Sequence, residues 1–507
     1  MKRFSLKTFH AIIFSALLFL FSACEGQLEV EAYDKLTGEN FPRTEQDAKT
    51  LVTSVYYQFR AGEWSRYNSA NESRLVTSLL GTDEFTCHWG GYWGSPFNFN
   101  WQPDEFPFSK MYYDFIPAVT TATSAIAQLH KVGDKLDPYL LERYIAEIKA
   151  ARAYFMYDLY NLYGPVSVIT KEEDAANIND YTYQPRPTSE EMVRLIESDL
   201  KDAMNILPAS YSDSEFGRMT KGAAMMGLVK LYLHEKDWEN VKKYAEELIA
   251  LGVYSLQESY ESIWSIDNEK NAEIIFALVC QPTPEGVANN FRAHVLPSDW
   301  KSPNGYTVEG WNGYKVPWQF YDRFDPEDKR RELLVRYYTS IIDREVDGRQ
   351  TLYGAIPLKY SEDPAGTGVN QGVDYVVYRY ADVLLALAEA LNEIDGPTQA
   401  SIDLINQVRA RAFAPDKPIA LANYPDRESL RDHILDERGF ELYFEGNRRE
   451  DLIRHGKFIS YANDPERMGA VRPKNPQQNA KDHHVLYPIP NEAIVESKGV
   501  LKQNKGY

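Results

Sequence analysis

Apolar residues recur at helical spacing along much of this chain of 507 residues, and the pattern predicts a mainly α protein. Thr44 caps a first helix. Glu45, Gln46 and Asp47 fill its first turn, and Leu51, Val55 and Phe59 follow at the helical period. A second helix is predicted over about 141–162, with Tyr144, Ile145, Ile148, Phe155 and Leu159 on its apolar face and Gly164-Pro165 as its stop. A third starts at Thr188-Ser189-Glu190-Glu191, buries Met192, Leu195, Ile196, Leu200 and Ala203, and ends at Pro208. A shorter unit then occurs twice. Met225, Leu228, Val229 and Tyr232 lie on one helix, Lys236-Asp237 make the turn, and Val241, Ala245 and Leu248 lie on the next. Downstream, Leu384, Leu387, Ala388 and Leu391 are followed by Asp395-Gly396-Pro397 and then by Ala400, Leu404 and Val408. Two units with the same internal spacing indicate tetratricopeptide-like helical hairpins, with small residues where paired helices press together.

The periodicity fails in two windows, 86–110 and 281–320, which are rich in Gly, Pro, Asn and aromatic residues. Irregular segments of this length in a compact protein are either functional or disordered. Their aromatic density argues against disorder. Short strands are predicted near 274–279, 354–360 and 485–489 as minor elements. The expected fold class is therefore mainly α: helical hairpins with long irregular loops and a few short strands.

The first residues carry an address. Lys2, Arg3 and Lys7 precede an apolar run over 11–21 that only Ser15 interrupts, and Phe21-Ser22-Ala23-Cys24 follows. This is the layout of a secretory signal. The apolar run is too short to cross a bilayer, which takes about 20 residues. The cysteine directly after small residues resembles a bacterial lipobox, with Cys24 as the lipidated first residue of the mature chain; the alternative is an ordinary cleaved signal with an incidental cysteine. The expected organisation is a signal over 1–23, a polar tether over 24–40 and one helical body over 41–507, with halves at about 41–280 and 281–507.

Composition narrows the function. A formal net charge of −19 speaks against nucleic acid and against basic-patch binding to anionic lipid, and it suits a neutral ligand. Only Cys87 and Cys280 remain after Cys24, and two buried free thiols are favoured over a disulfide. No Cys/His cluster suggests a metal site, no P-loop, HExxH or GxSxG motif is present, and no cofactor is expected. The chain holds 35 Tyr and 9 Trp, residues whose large amphipathic surfaces suit binding faces.

Several segments together resemble the SusD/RagB family. Glu437-Arg438-Gly439-Phe440-Glu441-Leu442-Tyr443-Phe444-Glu445-Gly446-Asn447-Arg448-Arg449-Glu450-Asp451-Leu452 is similar to its C-terminal signature. So are Tyr380-Ala381-Asp382-Val383-Leu384-Leu385 with Ala388-Glu389-Ala390, and Leu486-Tyr487-Pro488-Ile489-Pro490. Upstream, Arg152-Ala153-Tyr154, Leu162-Tyr163-Gly164, Asp199-Leu200, Leu207-Pro208 and Lys221-Gly222-Ala223-Ala224 resemble its N-terminal half. The resemblance implies an outer-membrane, lipid-anchored protein facing the medium. It would capture oligosaccharides or polysaccharides for a SusC-like TonB-dependent transporter and would not catalyse. Capture of peptides or another nutrient by the same architecture is the alternative. A surface glycoside hydrolase and a scaffold that binds only proteins are more remote ones.

Six of the nine tryptophans fall in the two irregular windows: Trp89, Trp93, Trp101, Trp300, Trp311 and Trp318. Tyr92, Phe97, Phe99, Tyr306 and Tyr314 accompany them. Flat indole and phenol faces pack on the C–H faces of sugar rings and freeze few torsions. Asp83, Asn98, Asn100, Gln102 and Asn304 are at hand for hydroxyl groups. The expected ligand face comprises Asp83, Trp89, Tyr92, Trp93, Asn98, Asn100, Trp101, Trp300, Tyr306 and Trp311. The competing reading is that these rings anchor loops to the helical body. Glu441 and Glu445 stand one helical turn apart, like a glycosidase pair. With Arg438, Arg448 and Arg449 close in sequence, they read instead as a structural ion-pair network. His483 and His484 are expected on opposite sides of an extended segment, a poor metal pair.

Overall fold

A computed structural model describes residues 41–60, 67, 74–89, 99–106, 108–178, 181–282, 287–468 and 479–507. Cys24, Tyr92, Trp93, Phe97 and Asn98 lie outside the described residues. Helix α1 (Glu45–Tyr57) starts where its cap predicts: the Asp47 N–H donates to the Thr44 hydroxyl, and the Asp47 carboxylate accepts from the Thr44 N–H at 3.0 Å. Then follow α2 (Phe108–Val132) and α3 (Pro138–Tyr163), the latter capped by Asp137 and ended by Gly164 at φ +72°. Next come α4 (Ser189–Ile206), α5 (Lys221–Glu235) and α6 (Trp238–Ala250). Each of α1 to α6 packs on its successor. After a long excursion come α7 (Tyr380–Asp395), α8 (Gln399–Ala410), α9 (Arg427–Leu442) and α10 (Arg448–Arg454). Both predicted hairpins are present, as α5–α6 and α7–α8.

Helix α2 carried no prediction, although it is 25 residues long. Pro117 and a run of threonines lower its intrinsic propensity. Tertiary burial decides in its favour: Phe108, Met111, Phe115, Ala118, Ala122, Ile126 and Leu129 form one apolar face against the core.

The excursion between α6 and α7 leaves the helical stack and returns to it. Strand β2 (Ile274–Leu278) pairs antiparallel with β8 (Tyr375–Arg379), and Ile274 lies opposite Arg379, the residue before α7. This pairing closes the excursion at its base and lets α6 dock on α7. Within it, β3 (Tyr314–Pro317), β7 (Gly354–Pro357) and β4 (Leu334–Val335) are joined by β1 (Thr86–Cys87), from the segment before α2, in an antiparallel sheet of order β1-β3-β7-β4. Gly354 is required there, because a Cβ would stand 2.0 Å from the Val316 carbonyl. Strands β5 (Tyr337–Thr339) and β6 (Glu345–Asp347) make a separate hairpin.

Two expectations fail near the C-terminus. The strand at 485–489 is absent: a 3₁₀ turn over Asp482–Val485 leads into a segment tied to helices, with the Tyr487 N–H donating to the Leu162 carbonyl at 2.7 Å. His483 and His484 therefore do not diverge, and their ring centres are 4.1 Å apart. Cys87 and Cys280 are buried free thiols.

Candidate functional site

Strand pairing brings the two aromatic windows together across more than 200 positions of sequence. Thr86 lies opposite Lys315 and Cys87 opposite Tyr314. The contact continues past the strands: the His88 N–H donates to the Gly313 carbonyl at 2.8 Å, and the Trp89 indole N–H donates to the Trp311 carbonyl at 2.7 Å. The Trp89 ring occupies the space a Cβ on Gly313 would need, 2.6 Å away. The short helix Phe291–Val295 supports Trp311 from behind. Its Ala293 and His294 carbonyls accept from the Trp311 and Gly313 N–H groups at 2.7 and 2.8 Å. The Trp311 ring meets His294 edge-on at 4.8 Å, and its N–H donates to Glu309 at 2.7 Å. Trp89 and Trp311 are half-buried. The Trp89 indole is thus fixed by a main-chain carbonyl and the Trp311 indole by the Glu309 carboxylate.

His294 is the keystone of this cluster. It is fully buried, stacks on Tyr314 at 5.6 Å and contacts the Trp89 ring at 5.7 Å. Burial pushes its pKa down to about 4, so the ring is neutral at pH 7. Its Nδ1–H donates to the Asn290 carbonyl at 2.9 Å. Beneath it, burial pushes the Lys315 ammonium down to about 7, and that ammonium donates to the Val295 carbonyl at 2.8 Å.

Trp300 belongs to a different surface. Arg292 and His294 are two residues apart on the short helix, so they leave it about 200° apart. On the Arg292 side, Trp300 stacks on Tyr338 at 5.6 Å and lines a cavity of about 500 Å3 with Asn304 and Glu362. Glu362 organises that wall: it accepts from Arg292 at 3.1 Å, from Ser302 at 2.8 Å and from Asn304 at 2.9 Å. Tyr306 is 38% exposed, with its N–H held by the Ser302 hydroxyl at 3.2 Å.

Other expected ligand residues face inward. Asp83 is fully buried. Arg448 grips both its oxygens, at 2.7 and 2.8 Å, and Arg323 donates at 3.0 Å. Burial alone would raise its pKa, but the Arg448 and Arg323 charges outweigh that and hold the carboxyl below its usual range. Trp101 is 3% exposed, wedged between Phe99, Phe108, His484 and Tyr487. Phe99 and Tyr314 are buried with their neighbours. These residues hold loops to the body, so Asp83 and Trp101 are corrected to structural roles. Asn100 is exposed and accepts from Gln102 at 3.3 Å. Trp318 donates to the Leu352 carbonyl and lies under the Arg349 guanidinium. His294, Glu309, Arg292, Glu362 and Tyr338 were not expected; their partners sit at sequence distances no motif encodes.

Glu441 and Glu445 sit in an ion network, but not with the arginines nearest to them in sequence. Glu441 is held by Arg330, Arg379 and Arg411, and Glu445 by Lys359 and Arg379. Arg438 turns to Asp382 and Asp451, Arg448 to Asp83, and Arg449 to Asn161. Burial opposes ionisation of Glu441, yet the surrounding guanidiniums hold it well below the usual carboxylate range. It has no proton to give near neutral pH.

Comparison with known proteins gives concordant matches. A model of the SusD family matches residues 335–507, and one described as starch-binding associating with outer membrane matches 28–233. A SusD-like protein of Formosa agariphila is 25% identical, over 96% of each chain. The starch-binding protein SusD of Bacteroides thetaiotaomicron is 23% identical over 71% of this chain and 72% of its own. Among solved structures, a SusD homologue of Bacteroides thetaiotaomicron superposes with a TM-score of 0.78 at 22% identity, covering 95% of this chain and 100% of that one. Surface glycan-binding protein A of the same organism, in complex with laminarihexaose, gives 0.75 at 20% identity, covering 91% and 99%. The fold is thus shared across the described body.

Proposed function

The chain belongs to the SusD/RagB family, and from that premise we propose that it is a surface lipoprotein that binds oligosaccharides and passes them to a TonB-dependent outer-membrane transporter. The observation that carries the binding half is the pairing of β1 with β3, which bonds the Trp89 indole to the Trp311 carbonyl and brings both rings against His294. Relatives named for starch and for laminarihexaose support a glycan ligand. The protein acts by capture and not by hydrolysis. The paired carboxylates that sequence spacing offers as an acid and a nucleophile are sealed beneath guanidiniums.

Calorimetry of the purified chain with a panel of neutral oligosaccharides tests the site. Trp311→Ala is expected to weaken glycan binding by about 1–3 kcal/mol, the range of aromatic stacking on a ring ligand. An unchanged isotherm in a folded variant overturns the shelf. The anchoring half is tested apart: Cys24→Ser is expected to move the protein from the membrane fraction to the soluble one, and persistence in the membrane refutes lipidation at that residue.

A further inference from the structure

A second cavity lies on the helical body, away from both aromatic windows, and its chemistry is that of a site. It measures about 370 Å3, within the range of small-ligand pockets. Four elements converge on it: the α5–α6 turn with Lys236 and Trp238, helix α7 with Glu389 and Glu393, helix α9 with Arg431, and the end of α10 with Arg454 and His455. Gly456 closes the rim with open space where a Cβ would stand.

Its charges are unevenly matched. Glu389 is held by Arg454 at 2.6 and 2.8 Å and by His455 at 3.0 Å, and Glu393 takes both its bonds from Arg431 at 2.6 Å. Both carboxylates are thereby committed. Lys236 adds a third cation to Arg431 and Arg454 on the wall; Arg454 is shared between Glu389 and Asp451, to which it donates at 2.7 Å, whereas no carboxylate among the described residues pairs with Lys236. His455 adds an opposite polarity. Its side chain is 1% exposed and its Nε2 is used on Glu389, so Nδ1, which has no partner, is left over and in the neutral ring offers a lone pair. Trp238 supplies a flat, half-buried indole.

An indole face, a spare cation and a buried acceptor together match one ligand chemistry: a sugar ring with C–H faces, a carboxylate and hydroxyl groups. We propose that this cavity is a second carbohydrate site that takes a uronic-acid residue. The acidic net charge of the chain does not oppose this, since the local wall is cationic and salt screens distant charge beyond about 10 Å.

The test is calorimetry of the full chain with digalacturonate and with a neutral disaccharide of the same linkage. Saturable digalacturonate binding is expected, weakened ten-fold or more by Trp238→Ala and also by Lys236→Gln, with binding of the neutral oligosaccharides at the Trp311 shelf unchanged. Lys236 is exposed, so its variant keeps the test sound if Trp238→Ala unfolds. The proposal is overturned by no saturable heat up to millimolar digalacturonate, by equal affinity for the neutral disaccharide, or by loss of uronate binding in Trp311→Ala with Lys236→Gln unaffected. That last result places the uronate on the first site and leaves the shelf standing.

Discussion

At the residue scale, His294 links stability to the cluster of Trp89, Trp311 and Tyr314. Its ring is neutral in the fold because burial holds its pKa near 4, while the unfolded value is 6.5. Above pH 6.5 the ring is neutral in both states and its contribution is complete. As pH falls toward 4 the unfolded chain takes up a proton that the folded one refuses, so stability is lost in that window. The expected loss at pH 4.5 is about 3 kcal/mol, read from denaturant midpoints at pH 7.5 and 4.5. His294→Phe should flatten the slope, and an unaltered slope in that variant removes His294 as its cause. Glu84 acts in the opposite sense: burial raises it to about 8, so its contribution is full below pH 4.5 and fades as pH rises through 8. None of this is legible from residue types. Trp89 and Trp101 look alike in sequence. Only the fold leaves the first half-exposed and wedges the second among four rings.

At the scale of elements, caps and periodicity did most of the predicting. Thr188 begins α4 with a reciprocal cap: the Glu191 N–H donates to the Thr188 hydroxyl at 3.2 Å, and the Glu191 carboxylate accepts from the Thr188 N–H at 2.8 Å. Thr188→Ala is expected to cost about 1 kcal/mol of stability, measured by chemical denaturation; no loss would mean that packing alone fixes the helix start. Helix α2 shows the limit, since its local propensity is poor and its partners on α1 and α3 make it helical. Strand β3 shows another. It sits in a window without periodicity, and its pairing partners β1 and β7 supply the order that its own sequence lacks. Short strands are specified by what lies beside them.

At the scale of the whole molecule, buried ions fasten the excursion to the last helices. Glu273 before β2, Arg379 at the end of β8, Arg411 after α8 and Glu441 on α9 meet in one network. Glu441→Gln is expected to destabilise the fold by about 3–5 kcal/mol, because it strips charge from guanidiniums that stay buried. A normal unfolding midpoint would show that the network tolerates the loss, and any glycan turnover by the parent chain that this variant abolishes would reverse the non-catalytic reading. The sequence by itself determined the strongly periodic helices, their caps, the hairpins and the family, because each rests on contacts within a few residues or on an ordered set of motifs. Tertiary structure alone decided which indoles stay half-exposed, which arginine meets which carboxylate, and that a charged cavity forms among four helical elements. Those outcomes depend on burial and on pairings between residues tens to hundreds of positions apart, and a linear order of residue types carries no term for either.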